Sequence, residues 1–141
     1  MLPIYTRPRY LPGSQVDGAM LHHVLLTDGC QIHQSEISDA VIGLRSHIAP
    51  RVRMRRTILM GSDYYDSPDN PHPSDIPLGI GPECDIEGAI IDKNARIGEG
   101  VIIHSFPRGT NLEESNWVVQ DGVVVIPKDT ILFPGTYIGP E

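Results

Sequence analysis

Aliphatic residues recur along this chain at a step that is neither helical nor that of a simple strand. In the stretch IIDKNARIGEGVII, Ile91, Ile97 and Ile103 stand six residues apart. A helix repeats its apolar face roughly every 3.6 residues and a strand every second residue. The same step links Leu26 to Ile32, Ile42 to Ile48 and Met54, and Ile80 to Ile86, with a one-residue slip before Ile91. Near the C-terminus it links Val125, Ile131 and Tyr137. Gly or Pro follows closely at Gly43, Pro50, Gly81, Gly98 and Pro127.

A six-residue beat predicts a solenoid: hexapeptide repeats mark the parallel β-helix. Each side is a short strand followed by a tight turn. Three sides make a triangular coil, and successive coils pair as parallel sheets. One aliphatic per side points into the prism, each burial contributing roughly 1.5–3 kcal/mol. Gly, Pro and small polar residues allow the corners to bend. The prediction is therefore an all-β chain, a left-handed parallel β-helix. The handedness comes from the fold class, which departs from the usual right-handed crossover. The competing fold, an antiparallel sandwich, would call for sustained alternation and Asn-Gly or Asp-Gly hairpins. Asp28-Gly29 and Asp121-Gly122 occur, but alternation is scarce.

Two stretches break the beat and predict loops thrown out from corners, at about 62–77 (SDYYDSPDNPHPSDIP) and about 104–121 (within HSFPRGTNLEESNWVVQDG). Solenoids accept such insertions because each coil touches only its neighbours. Residues 1–17, with MLPIYTRPRYLPGSQ at their start, have three prolines and little periodicity. They read as an extended arm or linker whose Leu2, Ile4, Tyr5 and Tyr10 would lie on something, with the β-helix domain spanning 18–141.

Composition narrows the functions. Fourteen Gly and 13 Pro leave little room for long helices, while 40% hydrophobic residues can support a core. The net charge of −7 argues against general nucleic-acid binding, which needs a positive field. Cys30 and Cys84 lie far apart and read as reduced core thiols of a cytoplasmic protein. No apolar run reaches membrane-spanning length, and no signal-peptide core is present.

The segments PIYTRPRYLP, VIGLRSHI, ILMGSDYY, IGPECDIEGAIIDKNARIGEGVII and GVVVIPKDTI occur in that order. Together they resemble the C-terminal domain of ADP-glucose pyrophosphorylase (glucose-1-phosphate adenylyltransferase), in its cyanobacterial and plant form. MGSDYY and IIDKNARIG are the specific parts. The resemblance covers nearly the whole chain. It implies a regulatory and oligomerisation domain following a nucleotidyltransferase domain that makes ADP-glucose and pyrophosphate from ATP and glucose 1-phosphate, for glycogen or starch synthesis. ATP and Mg²⁺ are expected in that catalytic domain, with no cofactor in this one. The expectation is thus an excised domain or short relative that cannot perform the transfer alone, with a catalytic domain and sister subunits as partners.

The resemblance also implies an allosteric site for a phosphorylated metabolite, with inorganic phosphate as its inhibitor. It places Lys93, in DKNAR, and Lys128, after the VVV run, in that site. A mobile ammonium suits a phosphate that must bind and leave. Pro127 stands where the plant pattern has an aliphatic, and Asp129 adds a negative charge. Asp92 either orients Lys93 or closes the turn. Arg45, in GLRS, is the fourth candidate; all four are otherwise ordinary solvated turn residues.

Other residues carry weaker expectations. Arg51, Arg53 and Arg55 alternate with Val52 and Met54, so they face outward, as a solvated face or salt bridges to surface carboxylates in the favoured reading and as an anion site or subunit contact in the other. The six histidines show no tight metal spacing and read as structural. The alternative function is a stand-alone acyltransferase of the hexapeptide class, a trimer with acyl-CoA held between adjacent β-helices and His104 as general base. No P-loop, Rossmann fingerprint or nucleophile elbow appears.

Overall fold

A computed structural model describes residues 11–141. The expectation that Leu2, Ile4, Tyr5 and Tyr10 lie on a surface falls outside the described residues. These contain sixteen strands and no helix. The strands wind as a coil with three faces.

On the first face, β1 (Gln15–Val16), β3 (Gln31–Ile32), β5 (His47–Ile48), β7 (Gly79–Ile80), β10 (Arg96–Ile97) and β15 (Ile131–Leu132) form one parallel sheet. Thus β1, inside the stretch expected to be arm, already forms the first rung.

The next two faces share the seven-residue strands β2 (Met20–Leu26), β4 (Glu36–Ile42) and β6 (Arg53–Leu59). Each bends at its middle residue, where His23, Asp39 and Arg56 have φ of 53°, 50° and 48°. The leading halves continue the second face into β8 (Asp85–Glu87), β11 (Ile102–Ile103) and β16 (Tyr137–Ile138). The trailing halves continue the third face into β9 (Ala89–Ile91) and β14 (Val123–Ile126).

The interior is filled as the beat predicts. Ile42, Ile48, Met54, Ile80, Ile86, Ile91, Ile97 and Ile103 are all fully buried. The slip between Ile86 and Ile91 has a structural cause. From the second face to the third the inward residues are five apart, as also in Ile37–Ile42 and Met54–Leu59, because a single left-handed residue turns that corner.

The C-terminal block departs from the expectation. Val125 and Ile131 are half-buried and Tyr137 is exposed, whereas Ile126, Leu132 and Ile138 are buried. Both trios keep the six-residue step, one position out of phase. Register decides between them: Ile126 stands beside Ile91, Leu132 beside Ile97 and Ile138 beside Ile103. A shift of one residue exchanges the two faces of a strand.

The first excursion stays irregular and folds back against the first face. The second is more ordered than a plain loop. Its β12 (Leu112–Glu113) and β13 (Val118–Gln120) pair antiparallel, and β13 pairs antiparallel with β14. Asp121 and Gly122, both at positive φ (48° and 83°), form the two-residue turn between Gln120 and Val123. This is the hairpin signal of an Asp-Gly pair, used here in an insertion on a solenoid. Within the insertion Phe106 stacks on Trp117 at 6.2 Å, and both pack against the core.

Candidate anion site at one corner of the coil

The corner leading from the third face back to the first is built the same way in every coil. The Arg45 amide donates to the Asp28 carbonyl, Ser62 to Leu44, Asn94 to Gly61 and Asp129 to Lys93. Arg45, Asn94 and Asp129 take left-handed φ of 57°, 63° and 62°. Asn and Asp tolerate that conformation better than most residues. All four residues expected at an effector site, Arg45, Asp92, Lys93 and Lys128, therefore fall on one corner.

Two of them converge on a residue that sequence reasoning passed over. Asp63 opens the first excursion, and its carboxylate lies 3.3 Å from Lys93 Nζ and 3.9 Å from Lys128 Nζ. Lys93 and Lys128 occupy equivalent turn positions in neighbouring coils. Asn94 holds the carboxylate in place: its Nδ2 donates to Asp63 Oδ2 at 3.1 Å, and its Oδ1 accepts the Asp63 backbone N–H at 2.8 Å. The Asn94 bond first, and then Lys93, keep the Asp63 carboxyl below the usual carboxylate range. Both lysine side chains are about half exposed, so solvent and small anions reach them.

Asp92 closes its turn, accepting the Lys93 backbone N–H at 2.6 Å. Arg45 lies on the same corner but engages elsewhere, with Nη1 donating to the Ser62 carbonyl at 3.2 Å. It lines a separate cavity of about 520 Å³ with His47, Tyr64, Tyr65 and Gln31. The corner thus carries two distinct places: the lysine pair around Asp63, and the cavity beside Arg45. Burial, and then the neighbouring His33 at 5.3 Å, push the His47 ring below its ordinary value.

The excursion that carries Asp63 is anchored by a second ion pair. Arg96 is almost completely buried, and Asp66 accepts from both of its terminal nitrogens. Nη1 also donates to the Ile76 carbonyl at 2.8 Å. Burial works against the guanidinium charge, but the bonds to Asp66 and Tyr64 outweigh it and raise the Arg96 pKa. The sequence signal for both anchors was present, in the acidic residues of SDYYD and in Asn94 and Arg96 of DKNAR. Nothing in linear spacing said that they meet.

The outward arginines pair with carboxylates, Arg51 with Glu83, Arg53 with Glu36 and Arg55 with Asp85. His104 Nε2 lies 3.2 Å from Asp85 Oδ2 on the outside of the second face. Among the described residues, no group of three or more His, Cys, Asp or Glu could hold a metal ion. Among them, too, no helix is long and apolar enough to cross a membrane.

Comparison with known proteins agrees with this architecture. Residues 9–137 match the family described as the GLGC left-handed parallel β-helix domain. A curated relative from Triticum aestivum, glucose-1-phosphate adenylyltransferase small subunit, chloroplastic/amyloplastic, is 39% identical over 142 aligned positions. The alignment takes in 96% of this chain and 30% of the relative, so the chain spans about a third of that protein's length.

Proposed function

Because the chain belongs to the GLGC left-handed parallel β-helix family, we propose that it serves as a regulatory and assembly domain of a glucose-1-phosphate adenylyltransferase. The reaction, adenylyl transfer from ATP to glucose 1-phosphate with release of pyrophosphate, is carried by the remainder of such an enzyme. ATP and Mg²⁺ belong with that remainder. This chain contributes the corner where Lys93 and Lys128 meet.

The observation that carries the regulatory reading is the convergence of these two ammonium groups on one exposed carboxylate. Exposed ion pairs contribute little to stability, so the corner is not explained as a structural staple. Two cations in neighbouring coils can instead bridge the oxygens of a phosphate group, as a phosphorylated metabolite or inorganic phosphate would require. Asp92 and Arg45 support the corner through the Lys93 amide and the Ser62 carbonyl.

Assembly is supported by the third face. Its outward ladder runs Leu25, Val41, Ile58, Ile90 and Val125 in register across five coils, without a charge. Leu25 is 69% exposed and Ile58 43%. A strip of this kind on a chain of net charge −7 suits a second copy, because it lets like-charged molecules meet where neither bears charge. The two buried free thiols, Cys30 and Cys84, suit a reducing compartment such as the cytoplasm. The wheat relative's own name places that protein in plastids.

Calorimetric titration of the chain with inorganic phosphate tests the regulatory half. Lys93→Gln and Lys128→Gln should each weaken binding by about tenfold, one lost charge-assisted contact apiece. Unchanged affinity in both variants would overturn the assignment.

A further inference from the structure

We infer that Asp63 is a tethered occupant of the phosphate position, and that it makes the corner select dianionic phosphate groups over monoanions. The inference rests on the effector-site reading above.

The geometry is that of an anion already in place. The carboxylate spans both ammonium groups, and the Asn94 side chain holds Asp63 twice, its Nδ2 donating to the carboxylate and its Oδ1 accepting the Asp63 backbone N–H. Asp63 approaches from the excursion, whereas both lysines stand on coil corners. Its neighbour Ser62 is bonded to the corner through the Leu44 carbonyl and to Arg45, and Asp66 ties the excursion to Arg96. Asp63 is therefore fixed at both sides and presented to the lysines at a high effective concentration, of millimolar order or above for a short tether.

A free monocarboxylate has the same charge and shape as the group it would have to displace, and lacks the tether. It loses that competition. A phosphate dianion brings a second charge and a third oxygen, so it can engage both ammonium groups more strongly than the carboxylate does. The remaining charges nearby do not substitute for Asp63. Asp92 is turned onto its own corner amide, and Asp129, beside Lys128, has its carboxylate in solvent. Both repel any incoming anion, a dianion more than a monoanion, so selection for the dianion rests on the two ammonium groups it engages in place of Asp63.

The test titrates inorganic phosphate and, separately, acetate into the chain and into Asp63→Asn, at constant ionic strength. Asparagine keeps the bonding to Asn94 and removes the charge. Asp63→Asn should tighten phosphate by at least about tenfold and should bind acetate, which the natural chain rejects. Equal phosphate affinity in the two proteins, or acetate still rejected by the variant, would overturn the inference. Should Asp63→Asn fail to fold, the carboxyl carbon resonance of Asp63 in the natural chain decides. It should move as phosphate displaces it from Lys93, and a resonance that stays fixed at saturating phosphate overturns the idea. Lys93→Gln separates the two levels. If that variant weakens phosphate while Asp63→Asn does not tighten it, only the role of Asp63 fails. If Lys93→Gln and Lys128→Gln both leave phosphate binding untouched, the effector-site reading falls and takes this one with it.

Discussion

Asp66 grips the buried guanidinium of Arg96 with both oxygens, at 2.8 and 3.2 Å, across thirty residues of sequence. The pair fastens the first excursion to the first face of the coil. Burial works to raise the Asp66 carboxyl, but the Arg96 hydrogen bonds, the Leu78 backbone N–H and the guanidinium charge together outweigh it and hold the group below the usual carboxylate range. A depressed carboxylate contributes stability that is present above its unfolded pKa of about 3.9 and lost as pH falls through its folded value. Asp66→Ala strands the Arg96 charge in the interior. Breaking a buried pair costs about 3–5 kcal/mol; with Asp66 itself partly exposed, about 2 kcal/mol is expected here. Urea unfolding at pH 7 measures the loss. The difference between the natural chain and Asp66→Asn should shrink as pH drops below about 4.

The phase of the C-terminal coil can be checked with two neighbouring substitutions. Ile126→Ala removes a fully buried side chain and should cost about 2–5 kcal/mol. Val125→Ala, on the outward side of the same strand, should cost less than about 1 kcal/mol. The opposite order in denaturant midpoints would return Val125 to the interior.

That phase illustrates how far the sequence could be read. The beat through Ile80, Ile86, Ile91, Ile97 and Ile103 identified the inward residues, because the neighbouring phase through Gly79, Asp85, Ile90, Arg96 and Ile102 is broken by glycine and charge. In GVVVIPKDTILFPGTYIG both phases are aliphatic, so spacing alone could not choose between Val125 and Ile126. Only the partner coil, Ile91 beside Ile126, breaks the tie. The corner lysines were found through resemblance, whereas Asp63 was hidden because it lies thirty residues before Lys93 across an irregular excursion. Contacts made by loop closure leave no period to detect.

Two glycines separate backbone conformation from packing. Gly61 has φ of 95°, and a Cβ there would strike the Leu44 backbone in the neighbouring coil. Gly61→Ala should destabilise by at least about 2 kcal/mol and loosen the turn that presents Asp63. Gly135 has φ of 79° but open space around it, so alanine should cost about 1 kcal/mol, the left-handed penalty alone. Thermal unfolding of both variants provides the comparison.

Cys84 is almost completely buried and donates its thiol to the Gly98 carbonyl at 3.1 Å. Burial pushes its pKa up to about 11. The folded thiol should therefore resist alkylating reagents at pH 8, where an unfolded cysteine of pKa about 8.5 reacts readily. A group raised on folding contributes stability that is full below its unfolded pKa and lost as pH rises through its folded value. Stability should consequently fall between about pH 8.5 and 11, and Cys84→Ala, once corrected for its lost packing, should fall less. Rapid labelling of the native chain at pH 8 would contradict the buried placement.

The uncharged ladder on the third face makes the assembly half of the proposed function accessible to experiment. Leu25, Val41 and Ile58 project outward at matching positions of adjacent coils, so a charge at the centre of the strip meets its counterpart or apolar surface when two copies pack. Ile58→Lys should convert an associating chain to a monomer in light scattering. Because Ile58 points away from the core, stability should change by no more than about 0.5 kcal/mol, which distinguishes a lost interface from a damaged fold. Substituting Arg53 on the second face, where the outward positions are already charged and paired with Glu36, should leave association unchanged. A natural chain that stays monomeric at high concentration would remove the proposed assembly role and leave only the proposed anion corner to be tested.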